Sequence, residues 1–251
     1  MSEAFREAGV PDTAIVARGI PGAMEGRLSW LTSQFLLNGA SPAGHNMLET
    51  GGASVQVATG TSYADVPWES DTNGSDKTWK TFAADDIRQT NIPTLKRPEF
   101  KVCYSGDVNS AGEQDAAACI ALLRAEVFDD NKRVVKLAAL HAGRMATRVY
   151  YTMGNSWKFN VFGRLGTGVN QTTYDAMVAK AADLCSKPMS ALPASDSRRH
   201  QACFALAFNI AFLDALIDQG AMTATTPVLN ADGKSTTVGA AASPEVFDNL
   251  C

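Results

Sequence analysis

Leu48-Glu49-Thr50-Gly51-Gly52-Ala53-Ser54-Val55-Gln56-Val57, LETGGASVQV, is the stretch from which the fold is read. Two adjacent glycines let backbone N–H groups approach a phosphate closely, and Glu49, Ser54 and Gln56 are polar groups able to hold metal-bound or attacking water. The same residues also read as a hairpin: a strand, a Gly-Gly turn and an alternating strand with Val55 and Val57 inward. On local physics both readings stay open. Upstream, PGAMEGRLSWLTSQFLLN (residues 21–38) carries a lone acid, Glu25. An acid beside a phosphate cradle suits phosphoanhydride hydrolysis.

Working outward, Ala14 to Ile20 reads as a short apolar strand closed by Gly19 and Pro21, and Leu28, Leu31, Phe35 and Leu36 have helical spacing. This places Glu25 on the loop between them, held from both sides and open to substrate. Residues 60–98 are polar and rich in turn residues, which predicts an irregular surface excursion with Trp68 and Trp79 as satellite packing sites. Asp115 to Phe128 reads as a helix through Ala118, Ile120, Leu122, Leu123 and Val127. Arg133 to Tyr151 continues in helical spacing with Val134, Leu137, Leu140 and Met145 on one face. Gly163, Gly166 and Gly168 in FGRLGTGVN are read as a helix terminator and turn, not as a nucleotide loop.

The chain has 251 residues, enough for a sizeable core, with 45% hydrophobic and 19% charged residues and a formal charge of −4. No basic run or basic aromatic face suggests a nucleic-acid partner. His45, His141 and His200 are isolated, with no zinc spacing. The N-terminus has acids and no long apolar core, so it does not read as a secretory signal. The apolar run Ala202 to Ile217 carries Asn209 and Asp214 and is read as too short to span a membrane, so no anchor is expected in this chain. Five cysteines, with glycosylation sequons at Asn73-Gly74-Ser75 and Asn170-Gln171-Thr172, lean towards a glycoprotein in an oxidising compartment, secreted or in the endomembrane lumen.

GAMEGRLSWLTSQFLLNG followed by ETGGASVQV resembles the third and fourth conserved regions of the apyrase family, the nucleoside triphosphate diphosphohydrolases of the actin/hexokinase superfamily. The resemblance implies an α/β, ribonuclease H-like lobe with a mixed sheet flanked by helices. It implies metal-dependent removal of the terminal phosphate of nucleoside tri- or diphosphates by direct water attack, with Mg²⁺ or Ca²⁺ as cofactor. Glu25 would orient the nucleophilic water, with Ser54 and Gln56 contacting it. The amides of Gly51, Gly52 and Ala53, with Ser54, would bind phosphate. Glu49, where the family has Asp, would hold the metal through water.

YYTMGNSWKFNVFGRLG (residues 150–166) resembles the family's fifth region, an aromatic-rich helix near the nucleobase, and ADLCSKPMSAL with RRHQACFALAFNIAFLDALIDQG resembles its paired-cysteine segment and the apolar helix that follows. These imply a Cys185–Cys203 disulfide and a base site formed by Trp157 or Phe159 with Arg198 or Arg199. Cys103 and Cys119 are expected as a second pair, leaving Cys251 unpaired. GKSTTVGAAA stands where the family has a tryptophan-containing sixth region, but lacks the tryptophan. Residues 1–24 match neither of the family's two earlier conserved segments. Residues 1–251 are therefore expected to form a single domain, the second lobe plus C-terminal tail, with the N-terminal phosphate-binding lobe absent. Two other readings remain: a noncatalytic nucleotide-binding lobe, and an exopolyphosphatase-like phosphatase.

Overall fold

The computed structural model describes residues 22–36, 46–59, 68–82, 96–104, 112–129, 132–140, 148–153, 163–164, 169–192 and 199–231. Helix α1 (Gly22–Leu36) leads to strand β1 (Asn46–Thr50), which forms a hairpin with β2 (Val55–Ala58), and β3 (Trp68–Asp71) follows. Helices α2 (Ser75–Phe82), α3 (Ala116–Val127) and α4 (Arg133–Leu140) precede β4 (Val149–Met153). Strands β5 (Gly163–Arg164) and β6 (Val169–Thr172), helices α5 (Tyr174–Cys185) and α6 (Ala202–Asp218), and strand β7 (Val228–Ala231) complete the order.

Among the described residues, seven strands form one mixed sheet in the order β3-β2-β1-β4-β7-β6-β5. The pairs β1/β4 and β4/β7 are parallel and the others antiparallel. Because successive side chains on a strand face opposite ways, β1 serves two layers. Leu48 joins the core with Val55, Val57, Val149 and Tyr151, packed against α3, α4, α5 and α6. Glu49, one residue on, meets Ser29 of α1 on the opposite face. The result is the three-layer arrangement of a mixed sheet flanked by helices.

Helix α6 decides the core. It is apolar on every side, as a helix enclosed by protein must be, and Ala202 to Leu213 are all buried. Its one interior polar side chain is tied to the sheet. Asn209 Oδ1 accepts from Tyr151 Oη of β4 at 2.9 Å and from Thr50 Oγ1 of β1, while Asn209 Nδ2 donates to the Ala205 carbonyl at 2.6 Å. The burial cost of the amide is thereby met, and the register of α6 on the two central strands is fixed. By length and composition the 20-residue helix Arg199–Asp218 could cross a membrane, contrary to the sequence reading, but 83% of it is buried within the protein. The helix closes on Gly220, whose φ of +71° suits glycine, with Gly220 N–H to Ile217 O and Ala221 N–H to Leu216 O at 2.9 Å each.

Both expected disulfides are present. Cys103–Cys119 joins the 3-10 turn Pro98–Cys103 to α3, and Cys185–Cys203 joins the end of α5 to the start of α6. Cys251 lies outside the described residues.

Several sequence readings are corrected. Within residues 60–98, expected as an irregular surface excursion, β3 and α2 are regular elements, and Trp79 is no satellite site: it packs on Phe100, Tyr104, His200 and Phe204 at the centre of an aromatic cluster. The charged turn residues mask an amphipathic helix that buries Thr78, Trp79 and Phe82. Of the helix expected to run from Arg133 to Tyr151, Arg133–Leu140 is helical, residues 141–147 lie outside the described residues, and Val149–Met153 is a strand held between β1 and β7. That finding also removes the helical reading of residues 150–153. Gly163 is a strand residue paired with Gln171, not a helix terminator. The strand expected over Ala14–Ile20 lies outside the described residues.

Candidate functional site

The register of three strands lays a row of polar side chains across one face of the sheet: Glu49 of β1 opposite Gln56 of β2, and Gln56 opposite Ser70 of β3. Helix α1 crosses this row. Its first turn carries Glu25, and Ser29 follows four residues later, so the two share a face of the helix. Glu25 is thus on the helix itself and not on the preceding loop, as the sequence suggested. The helix extends N-terminally past Gly26 because its first turn is held by sheet contacts that local propensity does not register.

Gln56 is fully buried and is the hub of the row. Its Nε2 lies 2.8 Å from Glu25 Oε2, 2.6 Å from Ser54 Oγ and 3.4 Å from Ser70 Oγ. Ser54 Oγ donates to Glu25 Oε2 at 3.3 Å. The sequence-predicted Glu25, Ser54 and Gln56 are therefore brought together. Among the described residues, the hydrogen bonds to the Glu25 carboxylate, from Gln56 and Ser54, fall on Oε2. Gln56 Oε1 is buried without a hydrogen-bond partner, the kind of atom that an ordered water satisfies.

Glu49 is held from α1 by Ser29, whose Oγ donates to Glu49 Oε2. Burial pushes the Glu49 carboxyl up from its ordinary 4.5 to about 7, the Ser29 hydrogen bond opposes the rise, and the nearby Glu25 charge adds to it. The folded protein then binds this proton more tightly than the unfolded chain. The associated stability is full below about pH 4.5, declines as pH rises, and is lost above about pH 7. Thermal midpoints measured across that interval should fall with rising pH, and Glu49→Gln should flatten the slope. An unchanged slope in Glu49→Gln would assign the pH dependence elsewhere.

The Gly-Gly turn joins β1 and β2 as the β-hairpin that one reading of LETGGASVQV expected. Gly51 N–H donates to Ser54 O at 2.9 Å, continuing the ladder, and is thereby occupied. This removes the Gly51 amide from the phosphate contacts expected of it. The turn's carbonyls are taken by the start of α2: Gly51 O accepts from Ser75 N–H at 2.9 Å, Gly52 O from Lys77 N–H at 3.0 Å, and Ala53 O from Gly74 N–H at 3.1 Å. Across a trans peptide, the C=O of one residue and the N–H of the next point in opposite directions. The amides of Gly52, Ala53 and Ser54 are therefore turned away from the groups that hold these carbonyls. Hydrogen bonds to the carbonyls polarise the same peptide groups and strengthen the amides as donors.

Ser29, Ser70 and Gly74 enter the site without having been singled out for it. Gly74 is the most constrained glycine here, since a Cβ on it would lie 2.3 Å from Ser54 N and 2.6 Å from Ala53 N. Its only sequence signal was the sequon Asn73-Gly74-Ser75, which is also an Asn-Gly turn signal. The hydroxyl residues of both sequons, Ser75 and Thr172, are buried.

For a divalent cation, the donors present are oxygens only. Glu25 and Glu49 repel one another, and among the described residues no group of three or more His, Cys, Asp or Glu side chains comes together. That set fits a hard cation that keeps much of its water and takes further oxygens from phosphate. Arg199 opens the short 3-10 turn Arg199–Gln201 before α6, while Trp157, Phe159 and Arg198, the other base-binding candidates, lie outside the described residues, as does GKSTTVGAAA.

No protein-family model matches the chain, and no curated protein matches it. Solved structures do. A Ppx/GppA family member of Aquifex aeolicus aligns over 98% of this chain and 70% of its own, with TM-score 0.57 and 16% identity. An exopolyphosphatase-like protein aligns over 99% of this chain and 74% of its own, with TM-score 0.59 and 14% identity. An exopolyphosphatase from Cytophaga hutchinsonii aligns over 89% of this chain and 63% of its own, with TM-score 0.53 and 11% identity. The expected fold class, an α/β lobe with a mixed sheet flanked by helices, is the one these similarities show.

Proposed function

We propose that this chain hydrolyses phosphoanhydrides, and that its substrates are nucleoside tri- and diphosphates, as in an apyrase. One observation carries the reading. The Glu25 carboxylate is held by Ser54 and Gln56 beside a Gly-Gly turn whose Gly51, Gly52 and Ala53 carbonyls are bonded to the start of α2, which leaves the Gly52, Ala53 and Ser54 amides facing the other way.

In this mechanism the terminal phosphate sits on the Gly52–Ser54 amides, which stabilise charge on its equatorial oxygens. A water is held by the Glu25 carboxylate together with Ser54 Oγ and the buried acceptor Gln56 Oε1. As the water oxygen bonds to phosphorus and the bridging P–O bond breaks, its proton passes to Glu25, and the shortened nucleotide leaves with the bridging oxygen. Glu49 would hold Mg²⁺ or Ca²⁺ through water. Such an ion, when bound, neutralises charge on the phosphate oxygens. The Ser29 contact keeps Glu49 on the α1 side of the row.

The apyrase assignment is supported by the likeness of residues 22–57 to that family's third and fourth regions. A second reading, hydrolysis of inorganic polyphosphate, is supported by the names of the structural neighbours, two of which are an exopolyphosphatase and an exopolyphosphatase-like protein. Phosphate release from ATP, ADP and tripolyphosphate, each with Mg²⁺ or Ca²⁺, separates them. Turnover of ATP and ADP, with tripolyphosphate bound as a competitor but turned over much more slowly, is the expected result. Turnover of tripolyphosphate alone favours the second reading, and nucleotide binding without turnover makes this a noncatalytic lobe. An oxidising compartment, secreted or luminal, is supported by the two disulfides.

A further inference from the structure

The hairpin turn does not hold its own shape. Of the four residues Gly51 to Ser54, the one internal bond is Gly51 N–H to Ser54 O, and the Gly51, Gly52 and Ala53 carbonyls are each bonded instead to the segment that begins α2. Ser75 adds its hydroxyl, donating to Gly51 O at 3.3 Å. Gly74 lies against the turn so closely that its Cα hydrogen stands where no side chain can, its backbone packed directly on the Ala53–Ser54 peptide. A turn with two glycines has many accessible conformations, and only some align successive amides. The selection is made from outside, by residues some twenty positions downstream.

We propose that the segment Gly74–Lys77 is the positioning element of the phosphate cradle, fixing through backbone contact the orientation in which the Gly52, Ala53 and Ser54 amides meet a substrate phosphate. This rests on the phosphoanhydride-hydrolase reading of the site. None of the four residues touches phosphate. Gly74, Ser75 and Lys77 act by capturing the turn's carbonyls, which forces the opposite ends of the same peptide units outwards, and Gly74 excludes the turn conformers that would need the space it leaves. The start of α2 is suited to this task, because the first N–H groups of a helix have no partner within it and are available to an outside acceptor. β3 and α2 thus belong to the site although neither supplies a group that meets substrate.

Gly74→Ala tests the role most severely but risks unfolding the hairpin. Lys77→Pro is the decisive variant: it deletes the N–H that binds Gly52 O, at a first-turn position where proline is tolerated. Lys77→Ala is its control, because among the described residues the exposed Lys77 side chain reaches only Thr72 Oγ1, at 3.3 Å. Titration of the purified protein with magnesium tripolyphosphate should show Kd raised about tenfold in Lys77→Pro, with Lys77→Ala within about twofold of the parent. The thermal midpoint should stay within a few degrees of the parent, and turnover at saturation within about threefold, a split that general destabilisation does not produce. Equal affinity in Lys77→Pro and parent overturns the positioning role alone. Equal weakening in Lys77→Pro and Lys77→Ala does so too, by assigning the effect to the side chain. A parent protein that binds no tripolyphosphate removes the cradle reading itself, and the positioning role with it.

Discussion

Glu25→Gln is expected to lower turnover by about 100-fold or more while leaving the fold intact. The amide has the volume of the carboxylate, and its oxygen can still accept from Gln56 Nε2 and Ser54 Oγ, which lie 2.8 Å and 3.3 Å from Oε2. What it loses is the ability to take a proton from attacking water. Substrate affinity should change little, since the phosphate is met by the Gly52–Ser54 amides and not by Glu25. The loss should therefore appear in kcat, with KM near the parent value. Steady-state phosphate release with ATP, alongside a thermal melt to verify folding, checks this. Hydrolysis within a few-fold of the parent would remove Glu25 from the chemistry.

The largest expected effect on stability comes from replacing Cys185 and Cys203 together by alanine. Their disulfide closes a segment with a sequence separation of 18, tying the end of α5 to the first turn of the buried helix α6. In the chain-entropy picture a closure of this length contributes ~3 kcal/mol by restricting the unfolded chain. For a protein of this size that corresponds to a fall of about 10 °C in the thermal midpoint. Both sulfurs are buried, so the substitutions also leave a small void in the packing around α6. Scanning calorimetry without reductant measures the shift. A double variant melting with the parent would mean that α5 and α6 are held by their apolar contacts and by the Arg124 network with Asp214, Asp218 and Tyr174.

What could be read from the sequence was local. Glu25, Ser54 and Gln56 came from two short motifs, and the Gly-Gly hairpin was legible because its flanking strands alternate. Asp115 and the apolar spacing after it marked α3, and Asp115 does cap that helix by accepting from Ala118 N–H. Strand β4 was misread because it runs parallel between β1 and β7 and is buried on both faces; such a strand has no alternation to separate it from a helix. Strand β3 and helix α2 were hidden by polar surface residues around a few buried ones, and Trp79 could be seen as central only once Phe100, Tyr104 and Phe204 were placed around it.

Within the site, illegibility had a different cause. Ser29, Ser70 and Gly74 contribute through register and backbone proximity between distant segments, and neither leaves a motif. The Gly51 amide could not be excluded from the sequence, because its bond to Ser54 O depends on the turn's conformation. Glu49 was expected to serve a metal from the resemblance of its segment to the apyrase fourth region. Its burial, its bond to Ser29 and its proximity to Glu25 follow from how α1 crosses the sheet.

The central claim is that the Gly52–Ser54 turn is a phosphate cradle beside the acid Glu25, and backbone amide NMR of the ¹⁵N-labelled protein titrated with magnesium tripolyphosphate tests it most directly. The amides of Gly52, Ala53 and Ser54 should shift together with one saturation curve, and the Gly51 amide, already bonded to Ser54 O, should move much less. Saturable binding that leaves the Gly52, Ala53 and Ser54 signals in place, or no binding, would contradict the account.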